Sequence, residues 1–277
     1  MKEDCFIPHH VAAEPADLAG NNGLGRYIFL PGSDGRAKAI ADHFDNLEVC
    51  PSARAHNLYK GTLRHHGKVI EVAAVCSGMG TPSLDIIVNE LFKLGATRFL
   101  RVGTAGSLQP DRIRVGHIVI GTAGVRDEGA SRVYVPLEFP SVASFSMVQA
   151  AQTAAAELGM NSRVIAGFVH SKDSLFAREM GEGPMRKDNE SYMALLREAG
   201  VAASEMEAAH LFVLGSLFSQ QLQRTGDTRG VLCGAVLGII GDDQAFATDE
   251  IVKKTVEDTV QLALATVKML AVSELTG

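Results

Sequence analysis

Only four cysteines occur in the 277 residues, Cys5, Cys50, Cys76 and Cys233, and no two of them form a C-x-x-C pair. That scarcity argues against a disulfide framework or a thiolate metal centre and predicts small thiols in a reducing compartment. Neither His9-His10 nor His65-His66 has an accompanying HxxxH or Cys/His spacing. Adjacent side chains of an extended segment point to opposite faces, so no metal site is expected. No Lys/Arg block stands out and the formal charge is −6, which leaves a nucleic-acid partner unsupported. No apolar run reaches membrane-spanning length, and residues 1–13 carry acids and histidines in place of an apolar signal core. A cytoplasmic protein without a membrane partner is expected. Internal repeats are absent, as are G-x-S-x-G, P-loop and complete G-x-G-x-x-G strings, which argues against serine-hydrolase, P-loop and dinucleotide chemistry.

What remains is a chain with 46% apolar and 21% charged residues, the balance of a folded soluble protein. Its length suits one large α/β domain or two ordinary ones. Apolar, β-rich runs recur at 27–30, 69–75, 99–102, 117–120, 164–169 and 231–240. Helical patterns lie between several of them, at 36–44, 83–94, 142–158, 207–218 and 249–270. This alternation predicts a mostly parallel sheet covered by helices. Thr81-Pro82 reads as a hydroxyl cap followed by proline at the first helical position. Segments 176–190 and 219–230 read as a lid or insertion and a surface connection.

Two arginine-bearing turns follow apolar runs: Pro31-Gly32-Ser33-Asp34-Gly35-Arg36 and Arg101-Val102-Gly103-Thr104-Ala105-Gly106-Ser107. Each combines a guanidinium, small residues and open backbone N–H groups at a strand end, where α/β proteins bind anions. They read either as one phosphate site built from two loops or as two turns with solvated arginines. Ser204-Glu205-Met206-Glu207 opens an apolar helix. At i and i+2 its carboxylates do not share a helix face, so they read as acceptors for a vicinal diol, with methionine against a sugar, or as acids placed for the helix dipole. Asp242-Asp243 follows the last apolar run, where an acid protonates a leaving base or caps a helix.

With these residues in view the chain resembles the hexameric nucleoside phosphorylases, most closely the bacterial uridine phosphorylase branch. The resemblance is clearest from Phe99 through the Arg101 turn to Gln109-Pro110, then in Val125-Arg126-Asp127-Glu128-Gly129 and Pro136-Leu137-Glu138-Phe139-Pro140. It implies a single α/β domain over residues 1–277 with a central mixed sheet flanked by helices, assembled as a hexamer built from dimers. It also implies reversible phosphorolysis of a nucleoside to free base and ribose 1-phosphate, with inorganic phosphate as co-substrate and no metal or organic cofactor. Gly32, Arg36, Arg101 and Thr104 would hold phosphate, with Arg54 arriving from a neighbouring subunit. Met206 and Glu207 would bind ribose together with His9 or His10 across the interface. Ala105, Gly106, Phe176, Arg178, Glu179 and Glu205 would surround the base, and Arg101, Glu207 and Asp242 would carry the catalysis.

The chain departs from that pattern at the base. Uridine enzymes present a Gln-x-Arg pair there, whereas this sequence reads Asp173-Ser174-Leu175-Phe176-Ala177-Arg178-Glu179-Met180. Asp242 matches a catalytic acid of purine phosphorylases, which makes a purine nucleoside the main rival substrate. Ala55 after Arg54 removes a carboxylate that some uridine enzymes give to potassium. A nucleosidase that uses water in place of phosphate would share this fold, and a non-catalytic nucleoside-binding protein would share the pocket. Arg36 and Arg101 argue against the first, and Arg101, Thr104 and Glu207 against the second.

Overall fold

The computed structural model describes residues 6–242 and 248–275. In chain order its elements are α1 (Pro15–Leu18), β1 (Tyr27–Pro31), α2 (Asp34–Ala41), β2 (Asp45–Cys50), β3 (Leu58–His65), β4 (Lys68–Val75) and α3 (Thr81–Lys93). β5 (Arg98–Ser107), β6 (Ile118–Asp127), α4 (Ala130–Tyr134), α5 (Phe145–Glu157), β7 (Val164–Lys172) and α6 (Leu175–Arg178) follow. The chain continues with α7 (Arg186–Glu198), β8 (Ala203–Glu205), α8 (Ala208–Arg224), β9 (Leu232–Gly241) and α9 (Asp249–Glu274).

All nine of these strands join one mixed sheet in the order β2-β3-β4-β1-β5-β8-β7-β6-β9, and β5 also pairs with β9. That extra pairing closes β5, β8, β7, β6 and β9 on one another, so the second half of the sheet curls into a barrel-like ring. Apolar side chains on both faces drive the arrangement. Ile28, Leu84, Phe99, Leu211 and Phe212 pack with α3 and α8 on one side, and Phe29, Ile40, Val236, Leu262 and Val267 pack with α2, α5 and α9 on the other. Each such side chain, removed fully from water, contributes roughly 1.5–3 kcal/mol. Ala150, Ala151, Ala154 and Ala155 are all buried on α5, and their small size allows the close packing of α5 against the sheet and α9.

The alternation of runs predicted mostly parallel pairing, but the sheet holds five parallel and four antiparallel pairs. β2, whose residues are nearly all exposed, β3, and the three-residue β8 carry no long apolar run, and they supply three of the antiparallel pairs. Helix α3 begins one residue earlier than the Thr81-Pro82 reading: Gly80 is the N-cap, with φ +82°. The Thr81 hydroxyl instead donates to Asp173 Oδ1 at 3.2 Å. Most of α7 lies in or just beyond the segment read as irregular; only Asn189, Met193 and Leu196 on it are buried, too sparse a stripe to stand out.

Candidate active site

The C-terminal ends of β1, β5, β7, β8 and β9 converge on a cleft of about 330 Å³, the edge at which open α/β sheets hold ligands. Gly32, Ser33 and Arg36 line one end; Arg101, Thr104, Ala105 and Gly106 come from β5; Ser204, Glu205, Met206 and Glu207 come from β8 and the approach to α8. Thus the loop after β1 with the start of α2, the body of β5 and the short β8, separated widely in sequence, bring the predicted phosphate and sugar residues together; the Arg101–Ser107 stretch read as a turn is strand, because it continues the buried pairing of β5 with β9.

Arg101 is 4% exposed and lies between two buried carboxylates. Its Nε donates to Glu205 Oε2 at 2.8 Å, and its Nη2 pairs with Glu207 Oε2. Among the described residues its Nη1 has no hydrogen-bond partner. Gly103 leaves room for this guanidinium: a Cβ there would stand 2.7 Å from Leu237 Cδ2 and 3.1 Å from Arg101 Nη2. Arg36 faces the same end of the cleft, and its Nη1 reaches the Val102 carbonyl at 3.5 Å. Burial, and then the like charge of Arg101, lower the Arg36 pKa.

The two glutamates divide their work. Glu205 accepts from the backbone N–H groups of Glu207 and Ala208, each at 2.9 Å, and from the Ser171 hydroxyl. Burial resists its ionisation, but Arg101 and these donors outweigh it and hold the carboxyl below its ordinary value. Glu205 lines the cleft, and its oxygens are engaged by Arg101 and by the start of α8. Glu207 accepts from Gly80 N at 2.6 Å, which ties it to the Gly78-Met79-Gly80 turn. Burial pushes the Glu207 carboxyl up, with Arg101 opposing and the neighbouring charge of Glu205 adding to the rise.

Other predicted residues lie elsewhere. Arg178 is turned out of the cleft because Asp127 and Asn189 take its guanidinium: Nη2 donates to Asp127 Oδ1 at 2.7 Å and Nη1 to Asn189 Oδ1 at 2.6 Å. The ring of Tyr192 lies 4.5 Å from it. It therefore fastens α6 to α7 and to the end of β6. Phe176 is 62% exposed and is not among the cleft-lining residues. Asp242 lines a second hollow of about 220 Å³ with Gly106, Glu179, Met180 and Arg197, and its Oδ2 is 3.4 Å from Val115 N. Asp243 lies outside the described residues.

The N-terminal histidines and Arg54 are also outside the cleft, but near one another. The Ser52 hydroxyl donates to the His10 carbonyl at 2.6 Å and accepts from Arg54 N at 3.2 Å. Glu90 anchors this strap, accepting from the backbone N–H groups of His9, His10 and Val11, each at 2.9 Å, and meeting His10 Nδ1 at 2.8 Å. His10 is thereby held by its own chain, whereas His9 is exposed and its side chain makes no described hydrogen bond. Burial opposes ionisation of Glu90, but the His10 ring and three N–H groups prevail and draw its pKa down to about 2 from the ordinary 4.5. A carboxyl with a depressed folded-state pKa stabilises the fold above the unfolded value, and that stabilisation disappears as pH falls from 4.5 toward 2. Glu90→Gln is therefore expected to cost about 2 kcal/mol at pH 7, with the gap to the parent narrowing below about pH 4.5; urea unfolding at neutral pH and again about one unit below the ordinary carboxylate value measures both.

Comparison with known proteins agrees with this geometry. Residues 26–275 match the Phosphorylase superfamily profile. The chain belongs to that family. It is 34% identical to the uridine phosphorylase of Treponema pallidum (strain Nichols), over 96% of this chain and 95% of that protein. It is likewise 34% identical to the uridine phosphorylase of Haemophilus influenzae (strain ATCC 51907 / DSM 11121 / KW20 / Rd), over 94% and 97% respectively. A purine nucleoside phosphorylase DeoD-type of Streptococcus suis (strain 05ZYH33) is 33% identical, over 76% of this chain and 81% of that protein.

Lys172, Leu175 and Met180 also line the cleft, and no motif in the sequence points to them. Lys172 carries a usable signal all the same: it is a cation at the end of a β-rich apolar run, and it is 2% exposed. Among the described residues no group of three His, Cys, Asp or Glu is placed to hold a metal ion, and no helix is long and apolar enough to cross a membrane.

Proposed function

We propose that the protein is a uridine phosphorylase, converting uridine and phosphate to uracil and ribose 1-phosphate in nucleoside salvage in the cytoplasm. The observation that carries this reading is the pair of arginines at one end of the cleft, mutually repulsive and with Arg101 Nη1 left over. A phosphate dianion would relieve that repulsion and take the spare donor. In this reading Gly32, Arg36, Arg101 and Thr104 hold phosphate, Met206 packs on the ribose, and Glu207 accepts from its hydroxyls. A phosphate oxygen forms a bond to C1′ as the C1′–N1 bond breaks. The bonding pair leaves with uracil, which then takes up a proton. Fixed charges that need no reorganisation stabilise the oxocarbenium-like transition state.

The deciding assay is release of free base from uridine, and separately from inosine, with and without inorganic phosphate. Uracil release only with phosphate is expected. Phosphate-dependent hypoxanthine release with no uracil would replace the reading by a purine enzyme with Asp242 as proton donor, phosphate-independent release by a nucleosidase, and no release by a binding protein.

The proposed assembly is a homohexamer built from dimers, each chain a single phosphorylase domain over residues 1–277. Exposed apolar residues Val133, Leu137 and Phe145 suit a subunit contact, and in this reading His9 and Arg54 serve a neighbour's cleft. Dilution to monomer, verified by sedimentation, is expected to abolish turnover. No metal or organic cofactor takes part; with Ala55 in place of a carboxylate, replacing potassium by sodium is expected to leave activity and thermal stability unchanged.

A further inference from the structure

The amide and guanidinium that would read a pyrimidine edge are absent from this chain's cleft, and a different polar group occupies the wall beyond the sugar residues. Glu179 follows α6 and lies at the junction of the 330 Å³ cleft and the 220 Å³ hollow, lining both. Its Oε1 is 2.7 Å from Lys172 Nζ. That ammonium also donates to Ser204 Oγ at 2.9 Å and to the Glu205 carbonyl at 3.2 Å, so two hydrogen bonds to β8 fix the charge that pairs with Glu179. Lys172 is 2% exposed and is held in place by β8; in turn it fixes Glu179. Among the described residues no donor reaches Glu179 Oε2. This oxygen lies 3.8 Å from the point where a Cβ on Gly106 would stand, which places it beside β5 at the cleft wall. The surrounding wall is apolar, from Ala105, Leu175 and Met180.

We propose that Glu179, positioned by Lys172, is the specificity-determining residue for the base and accepts a hydrogen bond from a ring N–H. An ionised carboxylate accepts and cannot donate, so the substrate must supply the proton on the edge remote from the sugar. Uracil does so through N3–H, between its two carbonyls. A base alkylated at that nitrogen leaves Oε2 without a donor inside the filled cleft and adds a methyl group against it, so it is rejected. This inference rests on the uridine reading for the position of the base, but its chemistry is that of one acceptor facing one N–H.

The test compares uridine, 3-methyluridine and 5′-deoxyuridine in phosphate-dependent base release by the parent enzyme, Glu179→Gln and Glu179→Ala. The parent is expected to prefer uridine over 3-methyluridine by at least about 100-fold in kcat/KM, a modest value for a site built around a substrate N–H. Glu179→Ala is expected to lose most of that preference by slowing uridine while leaving 3-methyluridine and the KM for phosphate nearly unchanged. Glu179→Gln, whose amide oxygen still accepts, is expected to stay within about tenfold of the parent on uridine. Equal use of uridine and 3-methyluridine by the parent overturns the proposal without any variant having to fold. So does a Glu179→Ala loss shared equally by both substrates, or a loss that vanishes with 5′-deoxyuridine, which would place the carboxylate on the sugar. If the parent releases no uracil at all, the uridine reading fails separately; calorimetric binding of uracil against 3-methyluracil then decides the role of Glu179, and equal affinities overturn it.

Discussion

Replacing Arg101 by lysine is expected to lower kcat/KM for uridine phosphorolysis about 10³-fold, or roughly 4 kcal/mol of transition-state stabilisation. The guanidinium does three things at once: Nε holds Glu205, Nη2 holds Glu207, and Nη1 remains for a ligand. Lysine supplies a point charge without the planar fork, so it can answer a carboxylate but cannot keep both and also meet phosphate. Part of the loss is expected in KM for phosphate and part in kcat, because Glu207, proposed to bind the sugar, loses its partner together with the proposed anion site. Lysine is the informative replacement. Alanine would leave Glu205 and Glu207 facing each other in a buried space, and an unpaired buried charge costs about 3–5 kcal/mol, so its inactivity would mix unfolding with lost chemistry. Thermal unfolding within a few degrees of the parent, together with the kinetic loss, identifies the fork as the cause; kinetics within threefold of the parent would remove Arg101 from the phosphate site.

That the residues proposed for phosphate and sugar share one cleft follows from the sequence for a physical reason. Gly32 and Arg36 come directly after the apolar β1, and Arg101 lies within the apolar β5, so the strands that make these residues noticeable also carry them to the cleft. Met206 and Glu207 were legible because they precede the long apolar stripe of α8. The base end was not. Arg178 and Glu179 are neighbours on one short helical turn, and only the pairing of Asp127 and Asn189 with one and of Lys172 with the other decides which faces the cleft. Those partners come from β6, α7 and β7, at separations no local pattern encodes. The same holds for His9 and His10, identical in type and adjacent in sequence, where Glu90 on α3 selects His10. In the fold, strands with a continuous apolar run were visible and β2, β3 and β8 were not: β2 is exposed, β3 interleaves polar and apolar residues, and β8 is three residues long.

Glu207→Gln is expected to separate activity from stability in opposite directions. The carboxyl is 3% exposed, and burial raises its pKa. A group with a raised folded-state pKa favours folding at low pH and loses that contribution as pH rises through the raised value. Neutralising it therefore leaves Arg101 with the single counter-charge of Glu205, and the variant is expected to be at least as stable as the parent at about pH 7.5. Activity should fall nonetheless. A hydroxyl hydrogen-bonded to a charged group is worth about 1.5–3 kcal/mol, so losing the charge opposite two ribose hydroxyls predicts a drop of about 10²- to 10³-fold in kcat/KM for uridine. With 2′-deoxyuridine one of those bonds is already missing, and the drop should shrink to about tenfold. The parent should also lose activity on the acid side as Glu207 takes up a proton, with a midpoint above the ordinary carboxylate value of 4.5, and the glutamine variant should lack that limb. Equal losses on uridine and 2′-deoxyuridine, with an unchanged acid limb, would mean that Glu207 only braces Arg101 and Gly80 and never meets the sugar.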